Sequence, residues 1–337
     1  MIRVGIVGAT GYGGRELLRL LGPHPEVELD AIASTTAENE RLADILPAFD
    51  GLGELRFEHF DAAALAERCD VVFTAVPSTL SMEPIAALRR AGARVIDLGP
   101  DFRLQDPRRY QQYYGVEHTA PELLAEAVYG LVPWLRDALP DAQLVAVPGC
   151  YPISALLPLR PLVGAPMAGV PVVIDSISGI SGAGRAVSEG FHFPEMNENL
   201  RAYKLAVHQH VPEIEQELLD EMTVQFTPHV APITRGILTT ITLRPRELFD
   251  PEPYFARYAD EPFVRVWGEG RLPEVRYVRG SNFCDIAWRT DERTGNILLV
   301  SAIDNLMGGT AGMAIQCMNL MFEIPETTGL QFAGMAP

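Results

Sequence analysis

One of the four cysteines of this chain stands where a reactive thiol is expected. Cys150 follows Pro148-Gly149 and separates an apolar, β-branched run at residues 143–147 from a helix-like run at residues 154–159. Unpaired backbone N–H groups at the start of a helix favour a thiolate over a thiol. A thiolate on a strand-to-helix turn is a nucleophile suited to a carbonyl carbon. We therefore predict that Cys150 is catalytic, although a cysteine without such a context most often only fills a core.

The start of the chain has the pattern of a nucleotide-binding turn. Residues 2–7 form a buried-strand pattern, residues 15–21 are apolar at helical spacing, and a glycine-rich turn lies between them. Such a turn lets the backbone approach a pyrophosphate, which the N-terminus of the following helix binds. The spacing is G-x-x-G-x-x-G, so the position between strand and helix carries the prediction. The candidate cofactor contacts in this turn are Gly8, Thr10, Gly11, Tyr12 and Gly13.

The second strand pattern, residues 27–33, ends without an acidic residue. An acid at that position would bind the ribose 2′-hydroxyl of NAD. Its absence, together with Ser34, Thr35 and the nearby Arg41, favours the 2′-phosphate of NADP. The alternative is that these are ordinary loop residues and that Arg41 points to water.

Composition narrows the function classes. The chain has 337 residues, a net charge of −17 and 47% hydrophobic residues. The negative charge argues against nucleic acid and anionic membranes as partners, and it requires a local cationic pocket for any anionic substrate. We expect no membrane span, no signal peptide and a cytoplasmic location. The other cysteines, Cys69, Cys284 and Cys317, show no metal-ligand spacing, which suits a reducing compartment.

Six blocks of the sequence resemble one enzyme family. The chain is similar to the N-acetyl-γ-glutamyl-phosphate reductases, within the wider group that includes aspartate-semialdehyde dehydrogenase. The matching blocks are residues 8–14, 101–104, 148–152, 178–185, 208–216 and 304–306. The resemblance implies a two-domain, NADP-dependent, homo-oligomeric enzyme that reduces an acyl phosphate to an aldehyde in arginine biosynthesis.

Three positions depart from the family pattern. Gln209 stands where the family usually has arginine, Val211 where it has threonine, and Gly308 where it has lysine. Two cations near a possible anion site are therefore missing. The nucleophile and the hydride chemistry are unaffected.

The alternation of strand and helix patterns over the first 150 residues predicts a parallel α/β sheet, and the irregular strands that follow predict an antiparallel one. The predicted fold is a Rossmann-type NADP-binding domain plus an α+β domain with a mainly antiparallel sheet. We assign residues 1–150 to the first domain, together with a C-terminal segment 305–337 that contains an apolar helix at 310–322. Residues 151–304 form the catalytic, substrate-binding and dimerisation domain. The strands predicted in the second domain are 170–177, 223–226, 236–243 and 296–301.

An acid/base is needed beside the thiol, and histidine suits neutral pH. The resemblance places the catalytic histidine in the pair His208 and His210. We favour His210 as acid/base and His208 as a substrate contact, with a polar cap as the alternative for His208. Glu213 is a candidate to orient the imidazole or, equally, to serve the helix dipole. The His-x-His pair has no third ligand at a fitting spacing, so we predict no metal.

The remaining candidate contacts lie in loops. Residues 178–185 are too rich in glycine and small residues for a regular element, so we expect a loop whose N–H groups reach an anion. We assign Ser178 and Arg185 to the substrate, and Ser181 and Gly182 to the cofactor. Arg103 is a candidate carboxylate contact, although Arg103 and Arg185 would each also suit a structural ion pair. Two cofactor candidates complete the set: Pro77, in the loop after the strand 70–76, and Asn305, for the nicotinamide amide or, alternatively, as a helix N-cap.

The predicted reaction has two steps. The Cys150 thiolate displaces phosphate from a small-molecule γ-acyl phosphate, and the resulting thioester is reduced by NADPH to the semialdehyde. Two alternatives stay open. The first is a related substrate, either a carrier-linked aminoadipyl phosphate or an aspartyl phosphate. The second is an NADP-binding regulator that has lost catalysis. The oligomer would be a dimer or a tetramer.

Overall fold

The computed structural model describes residues 1–34 and 37–335. Thr35, which the cofactor prediction used, and residues 336 and 337 of the predicted C-terminal segment lie outside the described residues. The chain divides into two compact units. One comprises Met1–Pro148 and Thr310–Gln331, and the other comprises Gly149–Gly309 and Phe332–Pro337. Cys150 and the turn that ends at Gly309 therefore belong to the second unit.

The first unit is built on a parallel sheet. Its strands are β1 (Ile2–Val7), β2 (Val27–Ala33), β3 (Phe57–Glu58), β4 (Val71–Thr74), β5 (Val95–Asp97), β6 (Val128–Tyr129) and β7 (Leu144–Ala146). They lie in the order β3-β2-β1-β4-β5-β7-β6. The strand order thus reverses between β1 and β4, and open sheets of this kind bind ligands beyond the carboxyl ends of the strands at such a reversal.

Helices cover this sheet. Those of the first unit, before its C-terminal segment, are α1 (Tyr12–Leu21), α2 (Leu42–Ile45), α3 (Ala62–Arg68), α4 (Met82–Arg90), α5 (Pro107–Tyr114) and α6 (Val132–Leu135). Local sequence sets their ends. Asp106 caps α5 by accepting the N–H of Arg108 at 2.8 Å, and Gly115 ends the same helix at a φ of +76°. Strands covered on both faces read as continuous apolar runs, and accordingly Val4, Ile6 and Val7 of β1 are buried.

The second unit contains a sheet in which four of the six neighbouring pairs are antiparallel. Its strands are β8 (Val172–Gly179), β9 (Arg201–Ala202), β10 (Val224–Ala231), β11 (Ile237–Leu243), β12 (Val264–Gly268), β13 (Cys284–Asp291) and β14 (Asn296–Ile303). Their order is β12-β13-β14-β11-β8-β10-β9.

Three strand predictions were too short at their ends. β8 continues to Gly179, β10 runs through Pro228 to Ala231, and β14 continues to Ile303. A proline lacks the N–H of a sheet ladder and hides the second half of β10 in the sequence, yet residues on both sides of Pro228 pair with β8. The predicted ranges also omit β9, β12 and β13. Of these, β9 and β12 are short and lie at the two edges of the sheet.

The helices of the second unit include the one that begins at the predicted nucleophile. They are α7 (Cys150–Leu159), α8 (Phe193–Met196), α9 (His210–Glu217), α10 (Glu252–Phe255) and α11 (Val275–Val278). The C-terminal helix α12 (Gly312–Met321), in the first unit, starts later than predicted because a π-helical turn, Met307–Ala311, precedes it. Among the described helices, none combines the length and apolar character that crossing a bilayer requires.

The helix α7 is buried along its whole length after its first residue. A helix that is apolar all round belongs in a core, and α7 packs on β11 and β14. The buried serine of this helix, Ser154, pairs its hydroxyl with that of Thr239 at 2.8 Å. A second hydroxyl, that of Ser301, donates to the Ser154 carbonyl at 2.5 Å. This packing fixes the position of Cys150 at the helix start.

Candidate active site

Cys150 is the first residue of α7, and Gly149 is its N-cap, with φ −67° and ψ 153°. The thiol is partly exposed, in contrast to the other three cysteines, which are buried. The start of a ten-residue helix stabilises negative charge on a group placed there. The structure therefore gives Cys150 the position that the sequence predicts for a nucleophile.

Glu213 anchors the turn that carries this cysteine. Its side chain is 1% exposed, and its Oε1 accepts the N–H of Gly149 at 2.8 Å. Glu213 lies in the first turn of α9, so this hydrogen bond ties the start of α7 to the start of α9. The described contact is thus with the backbone next to the nucleophile. Both predicted roles, orienting the imidazole and serving the dipole of its own helix, left this contact out.

The two histidines differ sharply in environment. His208 is 2% exposed, and its ring packs edge-on against Tyr151, Tyr203 and Phe226. Burial, with a smaller effect from the charge of Lys204, lowers the pKa of His208 to about 4. Its Nδ1 accepts the N–H of His210 at 3.2 Å. His208 is therefore a neutral residue that supports the start of α9. This hydrogen bond fits the capping alternative for His208, and the substrate contact stays a prediction.

His210 is the first residue of α9 and is only partly buried. The centre of its ring lies 4.8 Å from that of His208 and 5.9 Å from that of Tyr151, the residue after the nucleophile. The structure thus brings Cys150, Glu213, His208 and His210 into one cluster at the adjoining starts of α7 and α9.

A pair of tyrosines that the sequence analysis did not select lies in the same cluster. The Tyr203 hydroxyl donates to the Tyr151 hydroxyl at 3.1 Å, and the Tyr151 hydroxyl donates to the His229 carbonyl at 3.0 Å. Burial raises the pKa of Tyr203 to about 12 and raises that of Tyr151 as well. Both phenols therefore stay neutral. A sequence signal was present only for Tyr151, which directly follows Cys150.

The predicted loop at residues 178–185 is regular as far as residue 183. Ser178 and Gly179 end β8, and Ile180–Ala183 forms a 3₁₀ turn. Glycine is needed at 179, because a Cβ there would lie 2.8 Å from the carbonyl oxygen of Thr234. Ser178 and Ser181 are buried, whereas Gly182 and Arg185 are exposed. The Ser178 hydroxyl donates to the carbonyl of Gly179 at 3.0 Å.

Asn305 and Asp304 organise the turn that ends at Gly309. The Asn305 Oδ1 accepts the N–H of Gly236 at 2.7 Å, and its Nδ2 donates to the Ser181 hydroxyl at 3.0 Å. The capping alternative for Asn305 is carried instead by Asp304, whose Oδ1 accepts the N–H groups of Leu306 and Met307 at 2.9 Å each. This turn touches the nucleophile, since a Cβ on Gly309 would lie 2.9 Å from the Cβ of Cys150.

Two of the departures from the family pattern have a structural setting. Gln209 accepts a hydrogen bond from the Nζ of Lys204, the only lysine of the chain, at 3.0 Å. A side chain at Gly308 would be crowded, because its Cβ would lie 3.2 Å from the carbonyl oxygen of Asn282. Nothing in the structure explains Val211.

The glycines of the turn in the first unit are of two kinds: some are required by the packing of the turn, and others are not. Gly8 has a φ of +92°, and a Cβ there would lie 2.5 Å from the Ala75 carbonyl oxygen. A Cβ on Gly14 would lie 2.4 Å from the Gly8 carbonyl oxygen. These two glycines are needed by the turn itself. At Gly11 and Gly13 the nearest protein atoms to a Cβ lie at 3.6 Å, so packing alone does not demand glycine. Bare backbone that the fold does not require, beside the start of a helix, fits the approach of a pyrophosphate.

The neighbours of this turn vary in how far they fit the cofactor prediction. Thr10 accepts a hydrogen bond from Arg15 through its carbonyl, and Tyr12 is the first residue of α1. Ser34 directly follows β2 and is buried. Arg41 forms a surface ion pair with Glu54 at 3.0 Å, and both its cofactor role and the alternative that it points to water stay predictions.

Pro77 and Arg103 lie at the carboxyl edge of the same sheet. Pro77 is exposed in the loop after β4. Arg103 is 7% exposed and donates to the carbonyls of Val147 and Leu98 at 2.7 and 2.9 Å. These contacts make Arg103 a structural residue that joins the extensions of β5 and β7. The predicted carboxylate contact stays a prediction. Among the described residues, no group of three or more His, Cys, Asp or Glu is arranged to hold a metal ion.

Fold and site together define a class of protein. Residues 3–142 match the family model for the semialdehyde dehydrogenase NAD binding domain, and residues 150–305 match the model for the semialdehyde dehydrogenase dimerisation domain. Solved structures agree in fold. Aspartate semialdehyde dehydrogenase II of Vibrio cholerae, complexed with ASA, covers 96% of this chain and 98% of its own at a TM-score of 0.72 and 18% identity. Aspartate semialdehyde dehydrogenase with NADP from Candida albicans has a TM-score of 0.72 at 17% identity, and the match covers 96% of this chain and 98% of that one.

Curated relatives narrow the class. N-acetyl-γ-glutamyl-phosphate reductase of Desulforudis audaxviator is 47% identical over 346 residues, and the alignment covers 100% of both chains. The protein of the same name from Symbiobacterium thermophilum is 48% identical over 343 residues, covering 99% of this chain and 98% of its own. The chain therefore belongs to the N-acetyl-γ-glutamyl-phosphate reductase family, which confirms the resemblance and the predicted fold class.

Proposed function

We propose that this protein catalyses the NADPH-dependent reduction of N-acetyl-γ-glutamyl phosphate to N-acetylglutamate semialdehyde and phosphate, a step of arginine biosynthesis. The name and full-length identity of the relatives support the substrate. The single observation that carries the chemistry is the placement of a partly exposed Cys150 at the start of the buried helix α7. We further propose that the enzyme is a cytoplasmic homo-oligomer, a dimer or a tetramer, in keeping with its match to a dimerisation domain.

In the first step, the Cys150 thiolate attacks the γ-carbonyl carbon. A C–S bond forms, the C–O bond to phosphate breaks, and inorganic phosphate leaves with the electron pair. Covalent catalysis suits this reaction because it splits one difficult displacement into two easier steps. The hydrogen bond between Glu213 and Gly149 keeps the helix start in place during the attack.

Bound NADPH supplies the hydride that converts a thioester to an aldehyde. His210 acts as the acid/base in this step. It holds a proton near the carbonyl oxygen as negative charge develops there, and it takes the proton back when the thiolate leaves the tetrahedral carbon. His210 is only partly buried, and imidazole is the side chain most often used for proton exchange near neutral pH.

The chain's own residues offer a place for the cofactor at the carboxyl edge of the first sheet. We propose Gly8, the segment Thr10–Gly13 and Pro77 as pyrophosphate-side contacts, and Ser34 with Arg41 as contacts of the 2′-phosphate. Arg41 would exchange Glu54 for phosphate, a stronger bidentate partner for a guanidinium. Ser181, Gly182 and Asn305 are the proposed contacts of the nicotinamide.

The anionic substrate needs local positive charge in a chain of net charge −17. Arg103 is occupied by backbone carbonyls, and His208 is buried and neutral. Arg185 and Lys204 are exposed cations of the second unit, and Lys204 lies beside the histidine pair through its hydrogen bond to Gln209. We propose that Arg185, Lys204 and the hydroxyl of Ser178 bind the substrate's anionic groups.

The reverse reaction tests this function. Purified enzyme is given NADP, phosphate and one semialdehyde at a time, and NADPH formation is followed by absorbance. The panel contains three semialdehydes: that of N-acetylglutamate, that of carrier-linked N-acylated aminoadipate and that of free aspartate. The highest kcat/KM should belong to N-acetylglutamate semialdehyde. A preference for either of the other two would replace the substrate, and NADP binding without turnover on any of them would favour a non-catalytic regulator.

A further inference from the structure

The loop that follows β4, residues 75–81, is one wall of the glycine turn. The Ala75 N–H donates to the Val7 carbonyl at 2.8 Å, and the Ala75 carbonyl lies where a side chain on Gly8 would have to go. The loop therefore lies at the reversal of strand order between β1 and β4. Its conformation decides how much room remains beside the turn.

This loop contains a residue in an uncommon backbone conformation. Thr79 has a φ of +71°. For a β-branched residue, a positive φ is a genuine outlier, and such conformations persist only where the surroundings hold them. Something outside the loop must therefore fix Thr79.

The residue that fixes the loop is Asp101, which is fully buried. Its Oδ1 accepts the Thr79 N–H at 2.8 Å and the Tyr110 hydroxyl at 2.9 Å. Its Oδ2 accepts the N–H and the hydroxyl of Ser81 at 3.0 and 2.8 Å. Three of the four donors come from the loop, and four donors together stabilise a buried carboxylate.

A second buried acid shares this network without replacing Asp101. Asp97 accepts the Thr74 hydroxyl at 2.6 Å and the Gly99 N–H at 2.9 Å. Its distance to the Ser81 hydroxyl is 3.4 Å, longer than that of Asp101. Asp97 thus holds the end of β4, whereas Asp101 holds the far end of the loop.

From this geometry we infer that Asp101 is a positioning residue for the cofactor. It acts through the backbone of residues 79–81, which it locks in the shape that leaves the glycine turn open to a dinucleotide. The inference rests on the proposed function, since it concerns the affinity for NADPH.

The test compares Asp101→Asn with Tyr110→Phe in the full-length protein. Asparagine places an NH₂ group against the donors of Ser81, so the loop loses its clamp. Tyr110→Phe removes a donor to the same carboxylate and leaves the loop bonds intact. The dissociation constant of NADPH, measured by fluorescence titration, should rise about tenfold in the first variant and stay within about twofold in the second. The rate of Cys150 alkylation by iodoacetamide should be unchanged in both.

A third variant separates positioning from folding. In Asp101→Asn with Thr79→Gly, glycine takes the positive φ without strain, so part of the lost affinity should return. Equal losses in Asp101→Asn and Tyr110→Phe, or no rescue by glycine, would show a merely structural aspartate. Wild-type affinity in Asp101→Asn would overturn the inference alone, whereas failure of the wild-type protein to bind NADPH would overturn the proposed function.

Discussion

Removing the carboxylate of Glu213 should disable the nucleophile's turn before it unfolds the protein. Glu213→Ala leaves the Gly149 N–H without the acceptor that now lies at 2.8 Å, at a residue only 1% exposed. A hydrogen bond to a charged group contributes about 1.5–3 kcal/mol, and a buried orphaned donor carries a similar cost. We therefore expect a loss of about 2–3 kcal/mol in the free energy of unfolding. A misplacement of about 1 Å at a reacting group can cost about 100-fold in rate, so kcat/KM should fall by about that factor.

The assay pairs urea unfolding with reverse-reaction kinetics for three variants. Glu213→Gln keeps an oxygen that can accept the Gly149 N–H, so its kcat/KM should fall less than about tenfold. Glu215→Ala is the matched control. The Glu215 carboxylate, also on α9, accepts a backbone N–H from Val224 at 3.1 Å. The Glu215→Ala variant should have a lower free energy of unfolding and a kcat/KM near the wild-type value. Wild-type kcat/KM in Glu213→Ala would refute the reasoning, and equal losses in Glu213→Ala and Glu213→Gln would show that the charge acts on the imidazole.

Three further outcomes follow from the second unit. Gly309→Ala would place a Cβ 2.9 Å from that of Cys150. Overpacking of this kind destabilises the folded state by about 1–3 kcal/mol, so the melting temperature should fall and alkylation of the thiol should slow. Wild-type values for both would contradict this contact. Since the folded pKa of His208 is about 4 against 6.5 when unfolded, the unfolded chain binds more protons between these values. Up to roughly 3 kcal/mol of stability should therefore be lost as the pH falls from about 6.5 to 4, and urea titrations of His208→Phe should lack that part of the slope. Lys204→Gln keeps a polar side chain that can hydrogen-bond and removes the positive charge beside Gln209. The KM for the semialdehyde should therefore rise about tenfold with kcat nearly unchanged. An unaltered KM would exclude this cation from substrate binding.

The fold was predictable where local patterns match the tertiary structure. The apolar run of β1, the glycine turn and the helical spacing of α1 agree with one another, and all three are found. Strand ends were less predictable, since β10 continues through Pro228 by pairing with β8, a contact distant in sequence. The edge strands β9 and β12 are too short to leave a periodic pattern.

The site was predictable to the level of residue type and position in an element. Cys150 lies at a helix start because strand, Pro148-Gly149 and helix are adjacent in the sequence. Burial and partners were not predictable in the same way. His208 and His210 are two residues apart and look alike in the sequence, yet the rings of Tyr151, Tyr203 and Phe226 surround only the first closely enough to bury it. These rings come from separate elements, so only the folded chain brings them together.

Tyr203, Arg103 and Asp101 show the same limit. Tyr203 directly precedes the only lysine of the chain, and nothing in the sequence indicates that its hydroxyl donates to that of Tyr151. The charge of Arg103 by itself predicts an anion contact, whereas its carbonyl partners, which follow β5 and β7, are known only from the folded chain. Asp101 belongs to a family block, but its role depends on a loop some twenty residues earlier in the chain.

The central claim is that the sulfur of Cys150 carries the acyl group between loss of phosphate and reduction. Enzyme mixed with N-acetyl-γ-glutamyl phosphate in the absence of NADPH should release about one equivalent of phosphate and gain the mass of one N-acetylglutamyl group, located on the peptide that contains Cys150. The Cys150→Ser variant should show neither phosphate burst nor stable adduct while still binding NADPH. An acyl group found on a different residue, or turnover of Cys150→Ser at a rate close to that of the wild type, would contradict the account.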